Sequence, residues 1–250
     1  MRRAGRNFWG SRLSAVLEGL NLVKRFRHIR AVDGLSVRFQ AGEITGLLGP
    51  NGAGKTTTLY LLAGFLRPNR GEVFLSGRRI TGLPFHRRAR LGIHYLPQEP
   101  SVFLRTTVMG NIRLALAGMK LRWDARVTEV LAELGLVELL RRPVTELSAG
   151  ERRKVEVARA LVTRPSFLLL DEPFLGVDPL TVAELSALVR RLAQNGIGIV
   201  ICDHNVRDTL RLVDRAHLIQ AGKTVLAGTP AEIVADARAR SVYLGENFSL

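Results

Sequence analysis

The chain has 250 residues, 46% of them hydrophobic, with 37 basic against 22 acidic residues and a net charge of +15. That length and apolar fraction give one large or two modest domains with a substantial core, and exclude a disordered chain. No apolar run approaches the roughly 18–20 residues of a membrane span, and the lone cysteine, Cys202, excludes an internal disulfide framework and a multi-cysteine zinc site. The basic excess points to a nucleic acid or an anionic membrane surface as the kind of partner that charge alone would favour.

Arg2, Arg3, Arg6 and Arg12 open the chain with Phe8, Trp9 and Leu13 among them. This basic extension over 1–15 reads as an irregular tail or an interfacial anchor. No continuous apolar stretch follows it, so no secretory leader is expected. Residues 16–48 alternate apolar and polar positions and read as strands, with a turn at Gly42-Glu43. Residues 49–56, Gly49-Pro50-Asn51-Gly52-Ala53-Gly54-Lys55-Thr56, fit G-x-x-x-x-G-K-[ST]. A helical pattern follows to Leu66. Gly71–Leu75 and Arg78–Ile80 read as a hairpin, Gly92–Leu96 as a short strand, and Thr107–Val162 as mainly helical, including one helix over Asp124–Leu140. Phe167–Leu170 and Ile197–Cys202 are buried-strand runs flanking an amphipathic helix over Thr181–Asn195, and a last hairpin turns at Ala221-Gly222-Lys223. Strands alternating with helices predict an α/β fold with a largely parallel sheet. The Arg87-Arg88-Ala89-Arg90 run reads as a solvated face, and Arg152, Arg153 and Lys154 read either that way or as cations beside an anionic ligand.

The glycine octet has a mechanical reason. Successive backbone amides curl around phosphate oxygens, Lys55 reaches the β- and γ-phosphates, and the Thr56 hydroxyl is placed for Mg²⁺. The helix behind the loop aims its positive end at the nucleotide. ATP-type chemistry then needs a metal-side carboxylate at a strand end. Phe167-Leu168-Leu169-Leu170-Asp171-Glu172 supplies Asp171 for that role, and Glu172 is placed to polarise an attacking water. Ser148 with Glu151 three residues on is a capping box in its own right. His204 follows a buried strand, where a neutral imidazole can sense a phosphate.

Taken together these segments resemble the ABC ATPases. The resemblance rests on Phe26, the octet, Gln98 after the strand Gly92–Leu96, Leu147-Ser148-Ala149-Gly150-Glu151, Gly176-Val177-Asp178-Pro179 and His204. These stand in the family's order over about 17–230. It implies a P-loop NTPase core over about 16–97 and 166–230. An inserted helical subdomain would span about 98–165, with an antiparallel β element near the N-terminus and a C-terminal helix and tail over 231–250. It implies that Phe26 stacks on adenine and that Gly49 through Thr57 hold the phosphates. Thr56, Gln98 and Asp171 would serve Mg²⁺, and Glu172, His204 and Gln98 hydrolysis. Ser148 and Gly150 would complete the site of a second copy in a head-to-tail homodimer. Phe103 and Arg105 are the candidates for a groove that takes a membrane subunit's coupling helix.

Residues 147–161, 170–178, 203–210 and 242–250 are similar in particular to the ATPases of lipopolysaccharide export, with branched-chain amino-acid import ATPases as the nearest rival. The chain is therefore expected peripherally at the cytoplasmic face of the inner membrane. With one cassette and no long coiled coil between Gln98 and Ser148, a nucleic-acid partner is not expected. Two positions depart from the family. Ala149 stands where the signature usually has Gly, and Phe26 where Tyr is usual.

Overall fold

The computed structural model describes residues 15–176, 178–245 and 248. The arginine-rich extension up to residue 14, Val177 and most of the last five residues lie outside the described residues, and with them the expectations placed there.

Two sheets share the chain. β1 (Val16–Phe26) and β2 (Ile29–Gln40) form a long antiparallel pair. With β4 (Arg70–Leu75) and β5 (Arg78–Arg79) they make a four-stranded sheet of order β2-β1-β4-β5. The second sheet contains β3 (Ile44–Leu48), β6 (Ile93–Leu96), β7 (Phe167–Asp171), β8 (Gly198–Cys202), β9 (Arg215–Gln220) and β10 (Lys223–Gly228), in the order β10-β9-β3-β8-β7-β6. Five of these strands run parallel, and only β10 is antiparallel, closing a hairpin on β9.

Strand alternation divides the core in two. Ile44, Leu48, Leu168, Leu170, Ile199 and Ile201 point to one face and join the helical layer. Leu47, Phe167, Leu169, Val200 and Cys202 point to the other, against the antiparallel sheet and α1 (Lys55–Ala63). Side chains two apart on a strand share a face, so Asp171 falls on the same side as Phe167 and Leu169, toward α1. Continuous apolar runs in β3, β7 and β8 follow from this burial on both faces.

The helical stretch is α3 (Val108–Gly118), α4 (Ala125–Glu133), a 3₁₀ turn at Val144–Glu146 and α5 (Ala149–Leu161). The single helix expected over Asp124–Leu140 stops at Glu133. Gly135 takes a φ of +66°, the left-handed conformation that ends helices, and Val137 stays 39% exposed. After β7 come α6 (Pro179–Gln194) and α7 (Val206–Leu212). The C-terminal part is α8 (Pro230–Ala235), a single turn α9 (Ala237–Ala239) and a π-helical turn at Arg240–Leu244. No helix among the described residues is long and apolar enough to cross a membrane.

The arginine run at 87–90 is not a solvated face. It lies in α2 (Phe85–Arg90), and Arg88 is fully buried. Its Nη1 donates to the carbonyls of Leu61 and Leu62 at 2.7 Å, its Nη2 to Thr81 and its Nε to Leu83, both at 2.9 Å. The last carbonyls of α1 have no partner inside the helix, and α1 has no basic residue of its own in its last turn. Arg88 satisfies two of them and supplies the positive charge that a helix C-terminus favours. Burial brings its pKa down to about 10, so it stays charged at neutral pH. Arg153 is also buried, held by Glu156 at 2.7 Å and by the Pro97 carbonyl.

Candidate nucleotide site

The parallel strands β3, β7 and β8 end on one side of the sheet, where open α/β folds bind ligands. The glycine octet follows β3. Two of its glycines are dictated by close backbone approaches. A Cβ on Gly49 (φ +149°) would lie 2.1 Å from the Ile219 carbonyl oxygen, and one on Gly54 (φ +105°) 2.4 Å from that of Ala31. Ala53 is tied in by its amide to Pro50 and by its carbonyl to the amide of Gly222. Gly54 stands at the N-cap of α1, and no side chain caps that helix. Its first amides are therefore available to an anion, and the helix dipole adds to their pull. Lys55 is buried, with its Nζ on the carbonyls of Gly49 at 2.7 Å and Pro50 at 3.1 Å, so the ammonium is held against the loop. Asn51, Gly52 and Thr56 are exposed, and Thr57 is half-buried beside them.

Thr56 Oγ1 donates to Asp171 Oδ1 at 3.3 Å, and Tyr95 donates to Asp171 Oδ2 at 3.0 Å. Asp171 is 4% exposed, and burial raises its pKa above the usual carboxylate range, against the opposing pull of those two hydrogen bonds and of Lys55. A hydroxyl and a buried carboxylate are hard oxygen donors of the kind Mg²⁺ prefers. A dication there would offset the desolvation of the carboxylate, so the donor set fits that metal.

Glu172 leaves β7 in a left-handed conformation, φ +44°, with its amide bonded to the Cys202 carbonyl at 2.7 Å. A non-glycine residue in that region is uncommon and is retained where the surroundings over-determine it. The turn breaks the strand's alternation and sends the carboxylate toward the end of β8. There His204 Nδ1 lies 3.6 Å from Glu172 Oε2 and 3.5 Å from Asp203 Oδ1. Asp203 is 2% exposed and accepts the Asn205 amide, and burial raises its pKa.

Gln98 faces Glu172 across a cleft of about 170 Å³ that Ala149, Arg152 and Leu175 also line. Ser148 caps α5. Its hydroxyl accepts the Glu151 amide at 3.2 Å, and its own amide donates to Glu151 Oε2 at 2.7 Å. Gly150 packs against the start of α6, where a Cβ would lie 3.2 Å from Thr181 Oγ1. That hydroxyl is itself held by the N-cap Asp178 at 2.5 Å. Phe26 ends β1 as a 42% exposed residue, with Lys24 Nζ 5.4 Å from its ring centroid.

A groove of about 390 Å³ runs between the sheet edge and the helical layer. Phe103 lines it, with the Arg159 guanidinium 4.7 Å above the ring. Arg105 does not line it and is exposed two residues on. Sequence reasoning missed Tyr95 and Arg88. The alternation that turns Ile93 and Tyr95 toward α1 was a usable signal for the first, whereas an arginine among arginines carried none for the second.

A glycine loop with amides turned to one crevice, a lysine and a strand-end carboxylate is how P-loop nucleoside triphosphatases hold a triphosphate, and this is a protein of that class. Residues 32–175 match the ABC transporter family. The chain is 48% identical over 241 residues to the lipopolysaccharide export system ATP-binding protein LptB of Acidithiobacillus ferridurans, covering 95% of this chain and 100% of that one. It is 43% identical over 243 residues to the protein of the same name from Escherichia coli (strain K12), covering 94% and 100%. A nucleotide-free ATP-binding cassette from an ABC transporter superposes with a TM-score of 0.82 at 27% identity, over 93% of this chain and all of that one. The chain belongs to the ABC transporter family, as one of its ATP-binding, ATP-hydrolysing subunits.

Proposed function

We propose that this ATPase drives lipopolysaccharide extraction and export through a membrane partner, from the cytoplasmic face of the inner membrane. The observation that carries the reading is the end-to-end similarity to two lipopolysaccharide export ATP-binding proteins. Two copies meet head to tail on ATP. In each site Gly49 through Thr57 hold the phosphates, with Lys55 turning from the loop carbonyls to the triphosphate, and Phe26 stacks on adenine. Thr56, Asp171 and Gln98 would hold Mg²⁺, which would supply charge neutralisation on the triphosphate. Glu172 orients and polarises the attacking water, and His204, beside it, contacts the γ-phosphate. Ser148 and Gly150 at the positive end of α5 reach the γ-phosphate of the facing copy. Hydrolysis then rests on positioning and charge neutralisation, with no covalent intermediate on the protein. Closure of the dimer is the ligand-biased step that transmits force. The groove that Phe103 lines takes the coupling helix of the membrane subunit.

Affinity purification of the tagged chain from detergent-solubilised membranes tests this. Co-purification of membrane subunits, together with lipopolysaccharide held back in the inner membrane on depletion of the chain, is the expected result. Recovery of amino-acid import subunits and their periplasmic binding proteins would overturn it.

A further inference from the structure

β6 is the outer strand of the six-stranded sheet, so its residues meet the groove as well as the sheet interior. Tyr95 does both. Its side chain lines the groove together with Phe85, Phe103 and Leu114. Its hydroxyl passes through the same layer to donate to Asp171 Oδ2 at 3.0 Å, on the carboxylate whose other oxygen takes the Thr56 hydroxyl. The ring is fixed by its neighbours. It meets Tyr60 and Phe65 edge-on, each with centroids 5.4 Å away, and Phe65 stacks on Phe85 at 4.2 Å. Tyr60 lies on α1, the helix behind the phosphate loop, and Phe65 directly follows that helix. One contiguous aromatic block therefore joins the groove wall to the phosphate-loop helix, and the Tyr95 hydroxyl joins it to the strand-end carboxylate. Packed blocks of this kind shift as units because interiors have little free volume.

We propose that Tyr95 is a positioning residue that couples the groove to the nucleotide site. What seats in the groove sets the place of the ring, and the hydroxyl sets the orientation of the Asp171 carboxylate. This rests on the reading of the groove as the docking place of a membrane subunit. A ring that only filled space would serve as well without its oxygen. Tyr95→Phe keeps the packing and removes the hydroxyl, with its hydrogen bonds to Asp171 and to Tyr60, which separates the two roles.

The test compares wild type, Tyr95→Phe and Leu114→Arg, each as the isolated subunit and as the complex with the membrane subunits that co-purify in detergent. Leu114 is half-exposed in the groove, so an arginine there blocks docking without disturbing the core. The readouts are recovery of membrane subunits, kcat and KM for ATP in both forms, and Mn²⁺ binding by electron paramagnetic resonance with ATP, in a Glu172→Gln background that halts turnover. Tyr95→Phe is expected to recover the membrane subunits in full, to hold KM within about two-fold, to bind Mn²⁺ several-fold more weakly, and to lose about ten-fold of the rate gained on assembly. Leu114→Arg is expected to lose the membrane subunits. If it keeps them, the groove reading falls and this proposal with it. If it loses them while Tyr95→Phe keeps the wild-type rate gain, or if the wild type gains no rate on assembly, the proposal alone is overturned.

Discussion

Thr56 and Asp171 stand 115 residues apart in the chain, and the hydroxyl of one donates to the carboxylate of the other at 3.3 Å. The contact joins the start of α1 to the end of β7. It exists because strand alternation turns Asp171 to the face on which α1 packs.

Glu172→Gln keeps the size of the side chain and removes its capacity to take a proton. Turnover should fall by about 10²–10⁴-fold, while ATP still binds and still draws two copies together. Steady-state hydrolysis and size-exclusion chromatography with and without ATP check both halves. Hydrolysis at the wild-type rate would remove Glu172 from the role of base.

Lys55→Ala removes the buried ammonium from the phosphate loop. ATP affinity should drop by at least about ten-fold, with the fold retained, because among the described residues Lys55 hydrogen-bonds to the loop's own carbonyls of Gly49 and Pro50. Titration with a fluorescent ATP analogue, beside a thermal melt, reads the two effects separately.

Arg88→Met leaves three buried carbonyls and one half-buried carbonyl without this donor. A loss of about 3–5 kcal/mol is expected, corresponding to a melting temperature lower by roughly 10 °C for a chain of this size. Arg88→Lys should restore only part, since an ammonium cannot reach all four acceptors in the plane of a guanidinium. Calorimetry on the three proteins ranks them.

Burial lowers the His94 pKa from 6.5 to about 4. The unfolded chain therefore takes up a proton near pH 6.5 and the folded one only near 4, so within that window the unfolded state holds more protons. Stability should fall as pH drops through it. Urea midpoints measured from pH 7 to 4 should show the slope, and His94→Gln should flatten its own share of it.

Much of the site was legible because its chemistry lies in contiguous runs. The octet at 49–56, Asp171-Glu172 after four apolar residues, and His204 after β8 each carry their meaning within a few positions. What escaped depends on contacts between distant segments. Arg88 turns inward only because the carbonyls at the end of α1 are waiting for it, and nothing local distinguishes it from Arg87 or Arg90. Arg153 is buried by Glu156 and Pro97 in the same way. The apolar spacing over Asp124–Leu140 overstates the helix because Val137 fits it, whereas the left-handed turn at Gly135 outweighs that spacing.

The capping box at Ser148 bears on how the proposed γ-phosphate contact can be probed. Its hydroxyl oxygen takes the Glu151 amide through a lone pair, and its hydrogen turns to the Glu151 carboxylate, whose pKa is held down by the Ser148 amide and this hydroxyl. To reach a neighbouring copy the hydroxyl has to turn its hydrogen away from Glu151, while its oxygen keeps the cap. Removing it with alanine would confound the two, since about 1 kcal/mol of cap stability goes with the donor. Aspartate would keep the cap and present a negative charge to the incoming phosphate. Ser148→Asp therefore isolates the encounter between copies from the integrity of each.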